Sequence, residues 1–192
     1  MFSAVLDTCV LWPSLQRDLL LNLAIEGLYR PLWSSAILEE LEMHEAGKLV
    51  DRGASTPAAA RGAQRLVMQM STVFDGARVD GWEALDGTYG LPDRDDEHLV
   101  AAAVVVGAGA IVTLNVRDLP VDRIPAHIQV TSPADFALET VEIDPRRAFE
   151  AVVKMAERRQ REPVQSIDQL LEVLSVRYDM EAAVAVLKEG SR

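Results

Sequence analysis

FSAVLDTCV, residues 2–10, is the stretch whose reading decides the fold. Residues 2–6 form a short, mostly apolar run that stops at an acid, Asp7. A continuous apolar run of this length reads as a strand covered on both faces, the habit of parallel sheets. Two further runs have the same character: AIVTL at 110–114, after Gly107 and Gly109, and the shorter IQVT at 128–131. Between them the pattern turns helical. Residues 14–27 place Leu15, Leu19, Leu23 and Ile25 on one stripe, with Ser14 to cap and Gly27 to stop. Residues 34–45 open at Ser34 or Ser35, with a polar stretch around 48–57 after them. Residues 57–73 begin on Pro57, which suits a first helical turn, and a Gly- and Asp-rich connection follows over 75–94. Residues 95–106 open on acids, which the helix dipole favours. Ser132-Pro133 starts a helix over 133–141. Strands alternating with helices predict an α/β fold with a central parallel sheet.

Beyond Ile143 the pattern is helical only. Helices are expected from Asp144-Pro145 to about Arg159, over 166–176 with Ser166 and Gln169 at capping-box spacing, and over 179–189. The expected division is a domain at 1–142 and an all-helical C-terminal extension at 143–192.

The chain has 192 residues, 49% of them hydrophobic and 26% charged, as in globular domains. Its single cysteine, Cys9, excludes an internal disulfide framework and a multi-cysteine zinc site. No apolar run approaches the roughly 20 residues of a membrane span, and the N-terminus lacks the basic segment of a secretory signal. A cytoplasmic location, with no membrane partner, is the expectation. The net charge of −11 falls entirely within residues 1–142. Such a body repels phosphate, so a nucleic-acid function needs metal ions or local basic patches.

The acids occupy suggestive places. In open α/β sheets, sites form beyond the carboxyl ends of the strands. Asp7 follows the first strand and Asp118 lies four residues past the 110–114 strand. Asp96 sits in the opening turn of helix 95–106. Glu40 shares a helix with Ile37, Leu38 and Leu41, which must face the core. Carboxylates that converge repel one another unless a cation neutralises them, and hard oxygen donors suit Mg²⁺ or Mn²⁺. Taken singly, each acid also has a plainer reading: a cap at Asp7, a helix-dipole acid at Asp96, a solvated face at Glu40, a loop acid at Asp118.

Other constellations fit less well. A dehalogenase-like phosphatase needs a second Asp where Cys9 stands. GAGA at 107–110 precedes a strand rather than a helix, so it is not a phosphate-binding turn. His44, His98 and His127 lack metal-ligand spacing, and His98 reads as a helix-surface or packing residue. Trp12 and Trp33 read as core. Cys9 has no nearby histidine to activate it as a nucleophile. Arg147, Lys154, Arg158 and Arg161 recur at spacings that share one helix face. That face is either a solvated surface or a track for RNA phosphates.

The combined pattern resembles the PIN-domain nucleases, and most of all the bacterial VapC-type toxins. The fragments are VLDTCVLWP with Asp7, SSAILEEL running from Ser34 to Glu40, PDRDDEHLVAAAVVVGA with Asp96, AIVTLNVRDLP with Asn115 and Asp118, and PADFALE at 133–139. They occur in the family's order over about residues 2–140. The resemblance implies a three-layer α/β/α PIN-like sandwich and a metal-dependent endoribonuclease whose ligands to Mg²⁺ or Mn²⁺ are Asp7, Glu40, Asp96 and Asp118. Asp93 and Asn115 are then neighbouring or supporting groups, and Thr113 a polar group at the strand end. It also implies RNA as substrate, a small antitoxin protein as partner, and a homodimer as the form many members take. Two positions depart from the family pattern: Cys9 stands where Asn is frequent, and Asn115 where an acid is common. A scaffold that has lost catalysis and a small-molecule phosphatase are the alternative readings.

Overall fold

A computed structural model describes residues 2–159 and 164–191. The elements run β1 (Ser3–Leu6), α1 (Thr8–Leu11), α2 (Ser14–Ile25), β2 (Arg30–Ser34), α3 (Ser35–Asp51), α4 (Thr56–Val73), β3 (Arg78–Val79), α5 (Glu97–Val106), β4 (Ala110–Val112), β5 (Gln129–Thr131), α6 (Pro133–Ile143), α7 (Pro145–Arg158), α8 (Ile167–Arg177) and α9 (Glu181–Gly190). Single 3-10 turns lie at Trp82–Ala84, Arg94–Asp96 and Val116–Asp118. The expected class holds: a parallel five-stranded sheet in a PIN-like α/β/α fold, with a helical C-terminal region.

The strand order is β3-β2-β1-β4-β5. β1 pairs parallel with β4 through Ala4–Ala110, Val5–Ile111 and Leu6–Val112, and β2 pairs parallel with β3 through Trp33–Arg78 and Ser34–Val79. The chain therefore builds outward from β1 in one direction, then returns to its other side with β4. The reversal leaves a crevice beyond the carboxyl ends of β1 and β4.

By its contacts the chain divides into two compact units. One unit comprises Ser3–Trp12 and Pro31–Val130. Its core is Val5, Leu6, Leu32, Trp33, Ile37, Leu41, Leu99, Val100, Ile111 and Val112, all at most 2% exposed. Helices α3 and α4 pack on each other, and Ala59 and Ala63 of α4 are buried. Helix α5 packs against β1 and β4, then ends at Gly107, whose φ of 62° is the left-handed conformation that glycine adopts without strain.

The other unit comprises Met1–Phe2, Pro13–Arg30 and Thr131–Arg192, so α2 groups with α6–α9. Leu19, Leu20, Leu23, Phe136, Val141, Val152, Leu171 and Leu187 fill its core. Phe136 meets Tyr29 edge-on at 4.8 Å, and the Tyr29 hydroxyl donates to the Leu20 carbonyl at 3.1 Å. The capping box at Ser166 and Gln169 is present in full. Among the described residues, no helix is long and apolar enough to cross a membrane.

The structure adds what the pattern did not carry. β2, RPLWS, and the two-residue β3 were not anticipated, and α3 runs through the polar stretch to Asp51. Between Ser34 and Ser35, it is Ser34 that caps α3, accepting from Ile37 N at 3.2 Å.

Candidate active site

β1 delivers Asp7 to the crevice. The Asp7 backbone N–H still belongs to the sheet, donating to the Val112 carbonyl at 3.1 Å. Its side chain turns to cap α1, with Oδ1 accepting from Cys9 N at 3.4 Å. Oδ2 accepts from Thr113 Oγ1 at 2.6 Å and from the Cys9 thiol at 3.0 Å. The carboxylate is 6% exposed and fixed from three directions. Thr113, at the end of β4, also accepts the Asn115 N–H at 2.9 Å, so one hydroxyl ties the loop to Asp7. Asn115 in turn accepts from Asp118 N at 2.9 Å, closing the 3-10 turn that carries Asp118.

Glu40 comes from the second turn of α3. The Thr8 hydroxyl Oγ1 lies 2.8 Å from Glu40 Oε2, to which it donates, and 3.2 Å from the Ile37 carbonyl oxygen. Glu40 rather than Glu39 faces the site, as the helical spacing requires: Glu39 is exposed. Asp93 caps the 3-10 turn at 94–96, accepting from Asp95 N at 2.9 Å.

Asp96 is the group under electrostatic stress. It ends that 3-10 turn with no capping bond, and its Oδ2 is buried without a partner. Burial, then the negative charges of Asp7, Asp93, Asp118 and Glu40, push its carboxyl up to about 6. All four expected ligands and Asp93 therefore share one electrostatic neighbourhood. Among the described residues no group of three or more His, Cys, Asp or Glu side chains stands close enough together to hold a metal ion. Mg²⁺ keeps several waters and takes only one or two carboxylates directly. An all-oxygen donor set with a buried, orphaned carboxylate oxygen fits such an ion.

A family model for the PIN domain matches residues 3–117. The chain belongs to the PIN-domain family. PIN domains are in general metal-dependent nucleases that use divalent cations. The matched span takes in Asp7, Glu40 and Asp96 and stops one residue short of Asp118. No curated protein and no solved structure matches the chain.

Four residues at this PIN-domain site were not assigned a site role from sequence. Thr8 holds Glu40, and only the pairing of distant segments reveals it. Cys9, the departure from the family pattern, keeps a donor on Asp7 and accepts the Leu114 N–H at 3.2 Å. Burial, then the adjacent Asp7, pushes the thiol up to about 12, so it remains protonated and able to donate. Glu97, 2% exposed, accepts from the backbone N–H groups of Tyr89, Gly90 and Leu91 at 2.9, 2.8 and 3.1 Å. It clamps the loop that leads into the Asp93–Asp96 turn, beyond the helix-dipole role its position suggested. His98 packs edge-on to Trp82, as a packing residue would, yet its Nε2 also lies 3.9 Å from Glu40 Oε1.

The basic helix reads differently in the structure. In the helical unit Arg147 donates to the Glu26 carbonyl, Lys154 binds the Glu26 carboxylate at 2.7 Å, and Arg158 donates to Asn22 Oδ1. These three side chains tie α7 to α2. Arg161 lies outside the described residues. Trp33 is core, as expected, but Trp12 is not: 42% of it is exposed.

Proposed function

We propose that this chain is a Mg²⁺- or Mn²⁺-dependent endoribonuclease of the VapC toxin type, held in check by a small antitoxin protein. One observation carries the reading: a buried Asp96 oxygen without a partner, pressed by four other carboxylates. Folding against that repulsion is sensible only where a cation offsets it. Asp7, Asp96 and Asp118 would hold the ion, and Glu40 would hold it or orient the attacking water. The ion supplies a Lewis acid for the phosphodiester and a lowered pKa for water. Asp7 is pre-set by Thr113 and Cys9, and Glu40 by Thr8, so the site asks little reorganisation of these two groups. The donor that Cys9 retains at Asp7 weighs against the reading as a scaffold that has lost activity.

The test is cleavage of single-stranded RNA with Mn²⁺ and with chelator, for the wild type and Asp96→Asn. Internal cuts that need Mn²⁺ and vanish in the variant are expected. Turnover of a phosphomonoester with RNA left intact would favour the phosphatase, and neither activity with no Mn²⁺ binding would favour the scaffold. A short reading frame abutting this one, whose product copurifies and blocks cleavage, would support the toxin assignment.

A further inference from the structure

Trp12 departs from the usual fate of tryptophan. Trp33 and Trp82 are 0% and 9% exposed, whereas Trp12 is 42% exposed. It is open but not loose. Its indole Nε1–H donates to the His44 carbonyl at 3.3 Å, its own carbonyl accepts from Lys48 Nζ at 3.3 Å, and the His44 ring meets it edge-on at 6.3 Å. The Lys48 ammonium lies 5.8 Å from the ring centroid, and Glu45 matches that charge. An exposed aromatic held at its polar edge keeps its apolar area on offer without the entropy cost of ordering it later.

Its position is fixed relative to the carboxylates. Trp12 lies one helical turn beyond Thr8, its N–H donating to the Thr8 carbonyl at 2.8 Å. Thr8 is bonded to Glu40, and His44, which holds the indole, is one turn beyond Glu40 on α3. The two helices thus run side by side, cross-linked at Thr8–Glu40 and again at Trp12–His44. One turn of four residues advances about 6 Å, close to the step between successive nucleotides of an extended strand. Lys48, paired with Glu45, sets a cation beside the ring that offsets part of the negative charge a polyanion meets at this acidic site.

We propose that Trp12 is a stacking platform for one nucleobase of the substrate strand, a nucleotide next to the scissile phosphate on the α3 side of the site. The proposal rests on the endoribonuclease reading for its ligand, and it goes beyond that reading by assigning a substrate-binding residue outside the carboxylates. Stacking on an aromatic ring tolerates any base, so Trp12 would contribute affinity and register.

The experiment compares wild type, Trp12→Phe and Trp12→Ala on an RNA oligonucleotide carrying a mapped cut, with an abasic nucleotide placed at each position in turn. Trp12→Ala should raise KM about 5- to 100-fold with kcat changed far less, and Trp12→Phe should retain most of the affinity. One abasic position should cost the wild type a similar factor and cost Trp12→Ala almost nothing more. Wild-type KM in Trp12→Ala with thermal stability unchanged, or abasic penalties undiminished in that variant, would overturn the platform. Should the wild type cut no RNA, the nuclease reading fails separately. Binding of homopolymeric RNA oligonucleotides then decides: fluorescence quenching present in the wild type and absent in Trp12→Phe supports the platform, and equal quenching, or none, overturns it.

Discussion

Thr8 and Glu40, 32 residues apart, meet at 2.8 Å at the mouth of the strand crevice. The contact joins the residue after Asp7 to the helix that carries the fourth acid, so two carboxylates are positioned by one dipeptide. Thr8→Val keeps the shape and removes the donor. The expected result is a fall of about tenfold or more in kcat for RNA cleavage with KM little changed, since a hydrogen bond to a charged group contributes ~1.5–3 kcal/mol. Equal losses in KM and kcat/KM with kcat intact would remove Thr8 from this role.

Asp96 links proton, metal and stability. Its folded-state value of about 6 lies above the ordinary 3.8, so the folded protein keeps a proton that the unfolded chain has released. Its contribution to metal-free stability is full below about pH 4 and is lost as pH rises through about 6. Asp96→Asn should therefore melt higher than the wild type at pH 7.5 without metal, with the gap closing towards pH 4. Mn²⁺ should raise the wild-type Tm more at pH 7.5 than at pH 5, and raise that of the variant little at either.

Cys9 should behave as a donor and not as a nucleophile. Cys9→Ser keeps a donor near Asp7 and should retain cleavage, while Cys9→Ala should lose activity by several-fold. With its thiol pushed up to about 12, alkylation by iodoacetamide at pH 8 should be at least about a hundredfold slower in the folded protein than after denaturation. Equal labelling rates would show the thiol to be open and ionisable.

Glu97 holds a loop rather than an ion. Its three backbone donors, that of Tyr89 foremost, hold the carboxyl below the ordinary carboxylate range. This stability is present above the ordinary value and fades as pH falls towards the lowered one. Glu97→Gln should lower Tm clearly at pH 7 and less at pH 3, and should speed amide exchange at residues 89–91. Mn²⁺-dependent stabilisation lost with Tm unmoved would instead make Glu97 a ligand.

The α7–α2 ties can be told apart from an RNA track. Arg158→Ala should cost about 1 kcal/mol of stability, as loss of a partly exposed charged hydrogen bond does. RNA affinity and its salt slope should stay unchanged. A slope reduced by about one would restore the phosphate-contact reading.

The alternation of apolar runs with amphipathic stretches was enough to define the parallel α/β class, most helices and the rim on which the acids fall, because these follow from periodicity within one segment. β2 was hidden, since Pro31 and the short polar ends of RPLWS break any period, and β3 is too short to have one. Asp7, Asp96 and Asp118 stood out through position at element ends, and Glu40 through the core-facing residues on its helix. Their supports did not: Thr8 on Glu40, Cys9 on Asp7, Glu97 on three loop amides and Trp12 on His44. The first and last of these link α1 to α3, Cys9 meets the acid two residues before it, and Glu97 reaches back to residues 89–91. Such bonds depend on which side chain the backbone turns inward, and a linear pattern carries no record of that. For the same reason the partners of the α7 cations were out of reach, since their acceptors on α2 lie more than a hundred residues earlier in the chain. Segment character is a local property of the sequence, whereas the partner of a buried polar group is chosen only when the segments pack.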